Sequence, residues 1–145
     1  MKITKPLVGA AVIGVGAVLA FAVPAGAAVS AQSPPSASVR LGAKATLDAN
    51  GAVVFAPVTI ACRTGSSAFL TVRVTENVGG QIASGETSVF GAECTGGKVK
   101  LTAAVTPTQR AFRKGVAFGQ AYLSVCDPFS CQLLVDQHNV DIVKK

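Results

Sequence analysis

From Val39 onward the chain is cut by Gly, Asn, Asp and Pro into short runs in which apolar and polar residues alternate. No stretch keeps apolar residues at the i, i+3, i+4, i+7 spacing of a helix. A two-residue period sends successive side chains to opposite sides of an extended strand, so such a chain is restricted to sheets with one dry and one wet face. In the run Ala52 to Arg63, Val54, Ala56, Val58, Ile60 and Cys62 share a face, and Pro57, which cannot donate a ladder bond, marks an edge or a bulge. In Ala68 to Glu76, Leu70, Val72 and Val74 oppose Thr71, Arg73 and Thr75. Further on, Val99, Leu101, Ala103 and Val105 alternate with Lys98, Lys100, Thr102 and Thr106. Val39 to Leu47, a weaker Gln81 to Phe90 interrupted by Gly85, Gly115 to Cys126 and Cys131 to Val143 complete the set. The turns Asp48-Ala-Asn50-Gly51 and Asp127-Pro128-Phe129-Ser130 suit hairpins. About seven strands at this spacing predict an all-β sandwich or barrel with little helix.

The first residues read differently. Lys2 and Lys5 precede an uncharged apolar run from Leu7 to Val23, followed by Pro24 and the small residues Ala25, Gly26 and Ala27. This is the layout of a secretory signal, residues 1–27, cleaved after Ala27, with Ala28 and Ala31 as fallback sites. Its Gly and Ala content and small-residue exit favour removal over a retained anchor, so no membrane attachment is expected afterwards. Residues 28–38, small, polar and Pro-bearing, read as a flexible tail, and residues 39–145 as one domain of a secreted, extracellular protein.

Cys62, Cys94, Cys126 and Cys131 all follow the signal. An even count in an exported chain predicts two disulfides, and the C-x4-C spacing with a single histidine does not fit a zinc site. Of three possible connectivities the reading selects Cys62 with Cys94 and Cys126 with Cys131. The first can tie parts of a sandwich together, and the second closes a hairpin end.

Loss of Lys2 and Lys5 leaves 11 basic residues (13 minus 2) against 7 acidic, a charge near +4. The basic side chains are scattered, with Lys98 and Lys100 on one strand and Arg110, Arg113 and Lys114 in a loop. A solubilising surface is expected rather than a site for nucleic acid or an anionic wall polymer.

Two resemblances bear on the fold. The D-x-x-G hairpin, T-I-A-C-R at 59–63, A-E-C-T-G-G-K at 92–98 and G-V-A-F-G-Q-A-Y-L at 115–123 resemble an uncharacterised family of small secreted actinobacterial proteins with immunoglobulin-like folds. That likeness spans Ala45 to Leu123 and implies an immunoglobulin-like antiparallel β-sandwich and an extracellular location. V-C-D-P-F-S-C-Q-L, residues 125–133, is similar to the C-x4-C hairpin of neocarzinostatin-type apoproteins, secreted sandwiches that carry an enediyne chromophore in a cleft. The chain departs from them in the long Cys62–Cys94 interval and in having no Trp.

Catalytic chemistry finds little to use. The one histidine, His138, sits on what reads as the polar side of the last strand, and most of the seven acids stand at strand ends or turns. No phosphate-binding loop, nucleophile elbow or zinc-protease motif follows the signal. The chain therefore reads as a non-enzyme with no cofactor and no metal. It is expected to be a monomeric binding or adhesion module for an extracellular protein or wall polymer. A small-molecule carrier would place Phe112, Phe118, Tyr122 and Phe129 in an apolar cleft, and a protease inhibitor would present the loop 127–130 as an extended protrusion. An aromatic in a four-residue turn is unusual; Phe129 is expected to fold back onto its hairpin unless it contacts a partner.

Overall fold

The structure, a computed structural model, describes residues 37–145; the signal segment 1–27 lies outside them, as do all but the last two residues of the tail 28–38. Eight strands follow one another: β1 (Ala37–Leu41), β2 (Lys44–Asp48), β3 (Val53–Cys62), β4 (Ser67–Val78), β5 (Gln81–Glu93), β6 (Lys98–Val105), β7 (Gly115–Cys126) and β8 (Cys131–Lys144). A single 3-10 turn, Ala49–Gly51, is the only helical element among the described residues. The fold is all-β, as the alternation requires, and it carries two disulfides.

The count exceeds seven because the expected strand Val39 to Leu47 is two. β1 begins earlier, at Ala37, and pairs with Val58–Cys62 of β3, whereas β2 pairs with Val53–Phe55 of the same strand. Pro57 falls between the two stretches. Its carbonyl accepts from the Gly42 amide at 2.7 Å, on the side where an ordinary residue would also offer an N–H. The first strand breaks where its partner has no donor to give.

That break lets the chain change layers. β1, β3 and β6 lie side by side, with β6 along the far edge of β3. β2 continues into a second group in the order β2-β8-β7-β4-β5. Every ladder is antiparallel except β2–β8, where Lys44 to Leu47 run parallel to Asp141 to Lys144. β1 crosses over β7 and β8 without pairing with either, so the two groups pack face to face.

The core is the set of inward positions the two-residue period picks out: Val54, Ala56, Val58 and Ile60 of β3 share one buried cluster with Leu70, Val72 and Val74 of β4 and Ala121 and Leu123 of β7. The interruption expected at Gly85 does not occur. β5 runs through it for 13 residues. Its missing side chain instead admits the Thr106 backbone, and Gly85 forms a bridge with Pro107. Cys62, at the end of β3, is bonded to Cys94, just after β5, and so joins the two layers; Cys126 and Cys131 are the last opposed pair of the β7–β8 hairpin.

Candidate functional site

Register fixes what the outside of the β5-β4-β7-β8 layer carries. Residues paired across antiparallel strands share a face, so Phe90, Phe69, Ser124 and Leu133 form one row across the four strands. The next row is Ser88, Thr71, Tyr122 and Val135. Beyond it lie Glu86, Arg73, Gln120 and Gln137, then Ser84, Thr75, Phe118 and Asn139. Among the described residues the exposed large hydrophobics are Phe69, Ile82, Phe90, Val116, Phe118, Phe129, Leu133 and Val135. Seven stand on this one face, and the eighth, Phe129, is at the tip of its central hairpin.

The face is ordered by its own contacts. The Phe69 and Phe90 rings lie 4.8 Å apart between centroids, tilted at 49°. Below them Arg73 holds Glu86 through Nη2 at 2.6 Å and Nε at 2.9 Å, and Gln120 donates to the Tyr122 hydroxyl at 2.8 Å. The aromatic end of the face is thus separated from Phe118 by a polar row.

At the tip, the turn is held twice. The Asp127 amide donates to the Ser130 carbonyl, and the Asp127 carboxylate accepts from the amides of Phe129 at 2.9 Å and Ser130 at 2.8 Å. These backbone donors hold the carboxyl below its ordinary value of 3.8. With the Cys126–Cys131 bond at its base, this geometry leaves Phe129 97% exposed, so its ring does not fold back onto the hairpin.

Phe112 is not a surface aromatic: it is 0% exposed and plugs one end of the core. Its amide donates to the Gly51 carbonyl at 3.0 Å, and the next amide, of Arg113, donates at 2.8 Å to Glu76, a carboxylate only 4% exposed. An apolar residue in a basic loop reads as surface, yet this loop is drawn inward to satisfy the buried Glu76.

His138 is not on the outward side of β8 either. It pairs with Gly119 and shares its parity with the buried Val140 and Ile142. There, partly buried, it meets the end of β1: Nε2 lies 3.1 Å from the Leu41 carbonyl and Nδ1 2.9 Å from the Asn139 carbonyl. The Leu41 amide donates to Asp136 at 2.7 Å. Two carbonyl acceptors facing both ring nitrogens favour the imidazolium, the Asn139 carbonyl most, and raise the His138 pKa above 6.5.

Of the four aromatics named from sequence, Phe118, Tyr122 and Phe129 therefore belong to one side of the molecule and Phe112 does not. Phe69, Phe90, Leu133 and Val135 were missed. For Phe69 the signal was present, since it has the wet parity of Thr71 and Arg73. In β8 it was masked, because Leu133, Leu134 and Val135 are apolar on both parities.

Five surface hollows, of about 180 to 430 Å³, are lined by none of these exposed aromatics. No helix among the described residues is long and apolar enough to cross a membrane, and two disulfides mark an oxidising environment. No protein-family model and no characterised protein matches this sequence.

Proposed function

We propose that this chain is a secreted, non-catalytic binding or adhesion module of the immunoglobulin-like sandwich class. It docks an extracellular protein through the outer face of β5-β4-β7-β8 and the Phe129 tip. The observation that carries this reading is the confinement to that side of the eight exposed large hydrophobics among the described residues. The end of the face that carries Phe69, Phe90, Leu133 and Val135 concentrates exposed apolar area, which is costly in water and marks interaction surfaces. Clamping of the turn backbone lowers the ordering cost of presenting the Phe129 ring to a partner.

Secretion is supported by the N-terminal segment 1–27 together with the two disulfides. The sandwich class is supported by the first strand leaving one layer for the other through the break at Pro57. The carrier reading is not favoured, because the aromatics stand on an open sheet and not in a hollow. An inhibitor loop must be extended, and residues 127–130 make a tight turn closed by the Asp127–Ser130 bond. A catalytic His138 is disfavoured because carbonyl oxygens face both of its nitrogens.

A photoreactive phenylalanine analogue placed at position 129 or 90 tests the proposal in culture supernatant. Both positions should yield the same discrete protein adduct, position 102 on the opposite layer should not, and Phe90→Asp with Leu133→Asp should abolish the adduct at 129. Equal labelling from positions 129 and 102 would sink the assignment.

A further inference from the structure

The outer face of the other layer has a different character. Register places Arg40, Thr59 and Lys100 in one row across β1, β3 and β6, and Ser38, Ala61 and Lys98 in the next. With strands about 4.8 Å apart and paired rows about 7 Å apart, three cations from distant parts of the chain lie within roughly 12 Å of one another. The sequence shows Lys98 and Lys100 as neighbours, and only the β1–β3 pairing adds Arg40.

These charges have no carboxylate partners. The ion pairs among the described residues are Arg73–Glu86, His138–Asp136 and Lys145–Asp48. Asp136, beside the adjoining hollow, already accepts from the Leu41 amide, and Asp48 sits at the far end of the face, opposite Val53. Instead of an acid, the cluster surrounds a hollow of about 430 Å³ whose lining includes Thr59 and Ser38. Hydroxyl donors between unpaired cations make a site for anionic oxygens.

We propose that this face binds a linear polymer of phosphodiester groups joined by small polyols, through Arg40, Lys98 and Lys100. The three positions follow a strand and cross a layer, which suits successive charges of an extended chain more than one compact anion. The nearest aromatic on the face, Phe55, pairs with Ala104 two rows from Thr59, about 14 Å away. No Phe, Tyr or Trp stands at the cluster, so base stacking is left to the Arg40 guanidinium alone and the ligand is recognised chiefly by its charge repeat. This site is separate from the apolar face, and its failure would leave the protein-docking proposal untouched.

The test uses the full disulfide-bonded protein and synthetic poly(glycerol phosphate), with poly(dT) as a base-bearing comparison. Binding should weaken with salt with a logarithmic slope near −2, from about three released counterions at roughly 0.7 each. Arg40→Gln, Lys98→Gln and Lys100→Gln together should weaken it at least about tenfold. Arg110→Gln, Arg113→Gln and Lys114→Gln remove the same charge from a loop cluster and should change it less than about twofold. Lys100→Gln alone should lower the slope by about a third and leaves the fold intact if the triple variant does not. Equal weakening by the two triple variants would reduce the effect to net charge and overturn the site. So would no binding at low salt, or tighter binding of poly(dT) than of poly(glycerol phosphate).

Discussion

Gly119 of β7 lies directly under Leu41 of β1: a β-carbon there would come within 2.5 Å of Leu41 Cδ2 and 2.7 Å of Val140 Cγ2. The crossing of β1 over β7 and β8 depends on that missing side chain. Gly119→Ala should therefore destabilise the domain by about 1–3 kcal/mol, as overpacking does. Gly97→Ala, where a β-carbon meets nothing nearer than 3.8 Å, should be close to neutral. Urea unfolding of the two variants decides; equal midpoints would show that the layers do not meet there.

The two disulfides differ in what they hold. Cys62–Cys94 spans 32 positions and joins layers, whereas Cys126–Cys131 spans 5 and closes one hairpin. Loop entropy assigns the first about 3.7 kcal/mol and the second about 2 kcal/mol. Replacing Cys62 and Cys94 by Ala should lower the melting temperature more than replacing Cys126 and Cys131. A larger loss from the hairpin pair would contradict the layer-bridging role.

Phe112 and Phe129 should separate stability from recognition. Phe112→Ala empties a fully buried site and should cost about 3–5 kcal/mol. Phe129→Ala removes a solvated ring and should leave the melting temperature unchanged while weakening the photo-crosslink from position 90. If Phe129→Ala melted the protein earlier, the tip would be packing rather than presenting its ring.

Protons should stabilise the native state through His138. Its folded pKa is raised above 6.5, so the native state binds a proton more tightly than the unfolded chain does. The contribution is complete below pH 6.5 and is lost as pH climbs through the raised folded value. Denaturation midpoints should fall across that interval, and His138→Gln should flatten the change. A midpoint that rises with pH there in the parent and not in the variant would refute the assignment.

Much of this architecture was legible because the core obeys one simple period. β3, β4 and β6 present the inward residues that alternation assigns, and the disulfide pairing follows from where those strands end. The candidate faces were less legible, for three physical reasons. Lys98 and Lys100 stand two apart in the sequence, but Arg40 joins them only through strand pairing. In β8 the inward positions include Asp136 and His138, which bond to the β1 backbone, so polarity there does not report facing. Phe112 sits among basic residues and still goes inside, because its loop brings the Arg113 amide to the buried Glu76. Alternation records burial against a sheet; it does not record bonds to a distant backbone.

The parallel β2–β8 ladder has a consequence for the order in which the molecule is assembled. Lys44 to Leu47 reach their β8 neighbours only when Asp141 to Lys144 arrive. Before then, β2 has only its short pairing with β3, and the edge of β8 is unwritten. β8 thus acts as a latch on β2, and a nascent chain remains unlatched until the β8 segment, nearly a hundred residues later in the chain, has been made.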